Sequence, residues 1–212
     1  MDSGIIIGIV GVLLTMVSSI WAIRSEKKRI KEKQSRQQLF TWEHIYNGTL
    51  QLIKWLRKSQ FIPKITIGPP GATNIIAGIL QLELKEKPDL ISTVEYSLDT
   101  KISDKENKLN YQYVSSKWKY LVPKTILNHK DEKVLIIVVY THFGSTIQGL
   151  KQLLISKGFQ EENIKIASII SVKGIEGTVN EPDWTWIWMD TYELLFPWGH
   201  VSRKLRESPA NS

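Results

Sequence analysis

Cysteine is absent from this 212-residue chain, which excludes disulfide staples and any cysteine-ligated zinc centre and fits a reducing compartment. Histidine is scarce. His44, His129, His142 and His200 are scattered, without the spacing of a metal-ligand pair, so no metal site is expected. Internal repeats and low-complexity tracts are also missing. The charge balance is basic, with 28 Lys+Arg against 21 Asp+Glu and a net charge of +7. Five of those net charges fall between Arg24 and Arg36, where Arg24, Lys27, Lys28, Arg29, Lys31, Lys33 and Arg36 face only Glu26 and Glu32. The remaining body is close to neutral, which excludes a nucleic-acid footprint spread over the fold.

What is present begins with an uncharged run of 20 residues, Gly4 to Ile23, GIIIGIVGVLLTMVSSIWAI. At 1.5 Å per residue such a run spans a hydrocarbon core of about 30 Å. A cleavable signal would place cations before the run and small residues after it. Here Met1-Asp2-Ser3 precede it and the cations follow. The positive-inside rule therefore predicts a single-pass membrane protein with its N-terminus outside and residues 24 onward in the cytoplasm, Trp21 lying in the inner aromatic belt. A buried core helix is the alternative reading. Gly8 and Gly11 lack the four-residue spacing of a dimer motif, so a homodimer through the anchor is left open. Residues 24–40 read as a basic helical stalk that can also engage anionic membrane lipid, at about 1 kcal/mol per cation near the surface.

From Thr41 the pattern alternates helix and strand. Thr41 is placed to cap a helix running to about Gln60, with Glu43 in its first turn and apolar residues at Trp42, Ile45, Tyr46, Leu50, Ile53 and Leu56. Lys64 to Gly68 is a short strand, and Gly68-Pro69-Pro70-Gly71-Ala72-Thr73 a loop leading into a helix over Asn74–Glu83. A strand is expected over Ile91–Ser97, a mobile polar loop over Asp99–Asn110, and a hairpin-like insertion over Tyr111–Pro123. The β-branched run Val134 to Tyr140 predicts a strand buried on both faces. Thr141 to Ser145 turn at Gly144, and Thr146–Lys157 is predicted helical with Gly158 closing it. Another strand follows near Ile164–Ser171, then an aromatic stretch over Asp183–Trp198. Such alternation implies right-handed crossovers and a doubly wound, mostly parallel α/β sheet. The domain is expected over 41–201, with a flexible tail over 202–212.

Two glycine-bearing strand-to-helix loops would then share the carboxyl edge of one sheet, where open α/β folds bind ligands. A helix N-terminus preceded by glycine and hydroxyl residues is a ready anion site. With GPPGAT, VLIIVVYTHFGST and a late Phe196-Pro197-Trp198-Gly199 in this order, the chain resembles the type I phosphoribosyltransferases, particularly the bacterial purine-salvage group. The resemblance covers about Thr41 to His200. It implies that Thr141, Phe143, Gly144, Ser145 and Thr146 form the phosphate loop and that Gly68, Pro69, Pro70, Gly71 and Ala72 stand where that family holds pyrophosphate. In that family two adjacent acids bind the ribose hydroxyls of phosphoribosyl pyrophosphate. Here Val138 and Val139 stand in their place, His142 takes the position of the third acid, and Phe143 that of the first loop threonine. Valine accepts no hydrogen bond, so ligand hydroxyls there would go unpaired at about 1–3 kcal/mol each.

Three functions remain open on these residues. In one, a transferase acts on a nucleobase with His142 as catalytic base, Mg2+ being a possible cofactor only in that case. In the second, a pseudoenzyme binds a phosphate-bearing small molecule or nucleotide in a sensing role. In the third, an interaction module keeps Gly144 and Thr146 only for the turn. Trp184 and Trp186 are candidates for a base-stacking pocket, although the alternation Trp184/Trp186/Trp188 is also that of one packed strand face. The insertion Asp99–Lys119 stands where the family places a variable hood over the acceptor.

Overall fold

The computed structural model describes residues 25–27, 38–115, 118–190 and 194–197. The proposed span Gly4–Ile23 lies outside them, as do Trp198, Gly199 and His200. Among the described residues no helix is long and apolar enough to cross a membrane. In chain order the elements are β1 (Gln38–Leu39), α1 (Trp42–Lys58), β2 (Ile65–Gly68), α2 (Ala72–Glu83), β3 (Asp89–Ser92), β4 (Val94–Ser97), α3 (Asp104–Leu109), β5 (Asn110–Val114), β6 (Trp118–Pro123), β7 (Val134–Thr141), α4 (Ser145–Ser156), β8 (Ile164–Val172), β9 (Trp184–Met189) and β10 (Leu194–Leu195).

The chain divides into two compact units, Thr41–Tyr192 and one made of Met1–Phe40 with Glu193–Ser212. In the second unit β1 pairs in parallel with β10, Gln38 opposite Leu194 and Leu39 opposite Leu195. Residues 25–27 are helical, but Gln38–Leu39, expected in the helical stalk, form this strand instead.

The larger unit is an α/β fold around a five-stranded parallel sheet in the order β3-β2-β7-β8-β9. β7 is the sheet's middle, and seven of its eight residues are buried, as a parallel strand covered on both faces requires. Its Val134, Ile136 and Val138 pack against Ile147, Leu150 and Leu154 of α4 in one layer. The other face is covered by α1 and α2. Thr41 caps α1 through a capping box, its hydroxyl accepting from the His44 amide while the His44 ring takes the Thr41 amide at 3.1 Å. Ile45, Thr49, Leu52, Ile53 and Leu56 form the buried stripe. Trp42 and Tyr46, expected on that stripe, are 49% and 44% exposed.

The insertion is a separate antiparallel sheet, β4-β6-β5. The strand expected over Ile91–Ser97 is broken at Thr93, so β3 stays in the parallel sheet while β4 leaves it to pair with β6. Thr93 is buried, and its hydroxyl donates to the Gly68 carbonyl at 2.7 Å, fixing the point of departure. The polar stretch expected as a mobile loop contains α3, started by a second capping box in which Ser103 and Glu106 cap each other.

Candidate functional site

The chain runs from β2 outward to β3, then returns past β2 to β7, which makes the β2–β7 gap the topological switch point of the sheet. Ligands of open α/β sheets bind outside the carboxyl ends of the strands at such a point. Both glycine loops leave the sheet here, one from each strand of the pair.

The first loop is held tightly at its base. A Cβ on Gly68 would lie 2.1 Å from the Ile137 carbonyl oxygen, so glycine alone permits β2 to approach β7 this closely. Thr73, buried in the first turn of α2, donates to the same carbonyl at 3.3 Å. Beyond that base Pro70 and Gly71 are exposed, and Gly71 takes a φ of +94° as the N-cap of α2. The helix starts at Ala72, two residues before the expected Asn74, because Gly71 supplies the turn without a side-chain cap.

The second loop has the same construction. Gly144 is the N-cap of α4 with φ +70°, the left-handed region that glycine adopts without strain, and the helix starts at Ser145. A Cβ at Gly144 would also meet the Asn180 carbonyl oxygen at 2.2 Å, so the segment before β9 rests directly on this turn. Gln148 secures that segment by donating to the Glu181 carbonyl at 3.3 Å. Neither α2 nor α4 has a side-chain cap or an acidic residue in its first turn. By contrast α1 and α3 carry capping boxes and first-turn acids. The two helices that start at the switch point therefore leave their first N–H groups uncapped by side chains, which is the electrostatics of an anion cradle.

The remaining sequence-nominated residues fare unequally. The Thr141 hydroxyl is buried and donates to Ser168 Oγ at 3.0 Å, so it serves the sheet and not a ligand. Phe143 is 64% exposed, with its ring stacked on His142 at 3.9 Å, and only its backbone could face a phosphate. His142 sits between Phe143 and Tyr140, whose ring centroid is 6.2 Å away. Val138 and Val139 are buried at 5% and 7% exposure, Val138 within the layer under α4. Trp184 and Trp186 are not beside the loop. Trp184 pairs with Ala167 near the start of β9, and its ring stacks on Trp55 of α1 at 6.1 Å. Trp186 lies against Gly48 of α1. Their alternation is that of a strand face against a helix, which sets both rings beside α1 and not beside the phosphate loop.

Several residues that the sequence did not nominate reach the phosphate loop from the antiparallel insertion. Tyr113 donates to the Ser145 carbonyl at 3.1 Å, and its ring occupies the space a Cβ on Gly149 would need. The Tyr120 hydroxyl lies within interaction range of Thr146 and Glu95. Burial, and then the adjacent Glu95 charge, push the Tyr120 hydroxyl far above its usual range. Burial also raises the Glu95 carboxyl, with the Tyr120 bond opposing it. The tyrosine-rich composition of 111–120 was the visible signal, but its pairing with α4 is a long-range contact.

The donor set does not suit Mg2+. The loop over β7 and α4 carries no carboxylate, the acid positions are buried valines, and among the described residues no three His, Asp or Glu side chains cluster.

No family model matches the sequence, and no curated protein matches it. Solved structures do. A purine phosphoribosyltransferase from Pyrococcus horikoshii aligns at 19% identity over 76% of this chain and 93% of its own, with a TM-score of 0.54. A Helicobacter pylori xanthine-guanine-hypoxanthine phosphoribosyltransferase gives 14% identity, 81% and 99% coverage and a TM-score of 0.55. A hypothetical protein from Neisseria gonorrhoeae with bound ppGpp gives 17% identity, 80% and 94% coverage and a TM-score of 0.55. At these identities the likeness is one of architecture: the chain is built on the type I phosphoribosyltransferase fold.

Proposed function

We propose that this chain is a membrane-tethered phosphoribosyltransferase-like domain that holds a phosphate-bearing, nucleotide-type ligand at the β2–β7 switch point and serves as a sensor, without transferring a ribosyl group. The observation that carries the reading is the pair of glycine-started, side-chain-uncapped helices at that point, beside buried valines where ribose-binding acids would be needed. The first feature favours phosphate. The second removes the acceptors for ribose hydroxyls and any carboxylate support for a metal-assisted reaction.

The bound ppGpp of the Neisseria protein supports a guanine nucleotide with several phosphates as one member of the ligand class. The uncharged run Gly4–Ile23 and the cations after it support a single-pass anchor with the domain in the cytoplasm. Ligand occupancy would be passed on through the antiparallel insertion, because Tyr113 and Tyr120 touch the first turn of α4.

The test is thermal melting of the detergent-solubilised full chain with inorganic phosphate, GMP, ppGpp and phosphoribosyl pyrophosphate, alone and in Thr146→Val. A ligand present at 100 times its Kd adds about 2.7 kcal/mol to stability, a readily measured rise. No shift with any of the four compounds would leave the loop a structural turn in an interaction module. Release of pyrophosphate from phosphoribosyl pyrophosphate with a purine base would establish an active transferase instead.

A further inference from the structure

A second surface, remote from the phosphate loop, is left unused by this reading. α1 and β9 enclose a shallow groove of about 330 Å³ lined by Gln51, Lys54, Trp55, Lys58, Trp184 and Trp186. It lies on the face opposite α4. Trp184 is in register with Ala167, and Ala167 with Ile137, whereas α4 packs on Ile136 and Val138. Gln51, Lys54, Trp55 and Lys58 follow i, i+3, i+4, i+7 spacing, so a single stripe of α1 supplies one wall. The stacked rings of Trp55 and Trp184 make its floor, both part-exposed.

No acid lines the groove. Lys54 and Lys58 are exposed and have no hydrogen-bond or ion-pair partner among the described residues, whereas Lys151, Lys165 and Lys173 are each paired with a carboxylate. Indole rings and lysine ammonium groups sharing one face are the composition of a membrane–water interface. The indole sits at headgroup depth, and the ammonium reaches lipid phosphates. β9 is an edge strand, with β8 its one sheet neighbour among the described residues. Its outer N–H and C=O groups require water, which limits the depth of contact to the hydrated headgroup layer.

The chain also delivers this face to a bilayer. The uncharged run ends at Ile23 and α1 begins at Trp42, so 18 residues at most separate the proposed anchor from this helix. So short a tether would keep the groove at high effective concentration over the leaflet, the cytoplasmic one if the cations from Arg24 to Arg36 set the orientation.

We propose that the α1–β9 groove is a docking face for the anionic lipid headgroups of the bilayer that holds the anchor, an inference that rests on the anchoring part of the proposed function. Docking holds the domain in one orientation, with its phosphate loop on the side of the sheet away from the lipid-facing helix.

The experiment is hydrogen exchange of the full chain in nanodiscs of phosphatidylcholine alone or with one-third phosphatidylglycerol. Peptides covering Gln51–Lys58 and Trp184–Met189 are followed, with the second half of α4 as the internal reference. Protection of both peptides in the anionic nanodiscs, without change in α4, is expected. Lys54→Gln/Lys58→Gln should weaken the docked state by about thirtyfold, from about 1 kcal/mol per cation, and return both peptides to their phosphatidylcholine behaviour. Equal exchange in the two lipids, or an unaffected variant, overturns the docking face while leaving the anchor intact. A chain that co-purifies with anionic nanodiscs alone docks without an anchor. One that co-purifies with neither overturns both readings.

Discussion

Gly144→Ala bears two separable costs, and a companion substitution isolates one of them. Gly144 has φ +70° and Gly158 has φ +94°, so alanine is strained at both. That conformational term is about 1–2 kcal/mol for a non-glycine residue. At Gly158 the nearest atom to an added Cβ is the flexible end of Lys130 at 3.6 Å, so nothing further is expected. At Gly144 the added Cβ would stand 2.2 Å from the backbone oxygen of Asn180 and 2.7 Å from its Cβ. A backbone carbonyl cannot rotate away, so the segment before β9 must move, at a further cost of about 1–3 kcal/mol typical of overpacking. The expected losses are about 1–2 kcal/mol for Gly158→Ala and about 2–5 kcal/mol for Gly144→Ala. For a chain of this size each kcal/mol lowers Tm by about 2–4 °C. Tryptophan-detected melting of both variants in mild detergent measures the difference, and Gly144→Ala should also abolish ligand-induced stabilisation because the loop is displaced. Equal losses for the two variants would refute the claim that the Asn180 segment rests on the phosphate turn.

Other consequences follow from the same contacts. Thr146→Val removes from the first turn of α4 a hydroxyl that also neighbours the buried Tyr120, so its ligand-free Tm is measured beside its affinity. Nucleotide affinity should fall by about two- to twelvefold, the worth of one hydrogen bond of about 0.5–1.5 kcal/mol, read by calorimetric titration. Thr93→Val leaves the Gly68 carbonyl without its buried 2.7 Å donor and should cost about 1–3 kcal/mol in urea denaturation. Glu95 has a folded pKa raised above 4.5, chiefly by burial. The folded state therefore binds its proton more tightly than the unfolded one, and the penalty for ionising it is absent below about pH 4.5 and grows as pH rises through the folded value. Glu95→Gln should remove that penalty, so the variant gains on wild type in melting experiments as pH increases from 4.5 to 7. A gain that runs the other way would show that the charged carboxylate is stabilised where it sits.

The parts of the fold that were legible in the sequence are those specified by neighbours along the chain. The β-branched run of β7, the Thr41 cap of α1 and the glycine turn at Gly144 are local signals, and their elements start within a residue or two of expectation. Ser103 and Glu106 were equally local, but the polar composition around them masked the capping box, so α3 was expected as a loop. The break at Thr93 was not readable, because what takes β4 out of the parallel sheet is its pairing with Trp118–Leu121, a partner chosen by tertiary packing. Trp184 and Trp186 show the limit of period-two alternation. It tells that two side chains share a face, but which face they share depends on the β8–β9 register and on where α1 lies. Likewise the loop's glycines and hydroxyls were visible, whereas the tyrosines that touch it arrive from a sheet more than 25 residues earlier in the chain. Thr141 looked like a ligand group by its position in the motif, and a buried bond to Ser168 assigns it to the sheet.

Phosphorus NMR of phosphoribosyl pyrophosphate mixed with a purine base, Mg2+ and the full chain tests the central claim most directly, because it reads gripping and transfer in one spectrum. The account predicts that the 5′-phosphate resonance broadens or shifts on addition of wild-type chain, that a higher concentration of Thr146→Val is needed for the same effect, and that no free pyrophosphate resonance grows with time. A pyrophosphate signal that grows with enzyme concentration, or a 5′-phosphate resonance indifferent to the chain, would contradict it.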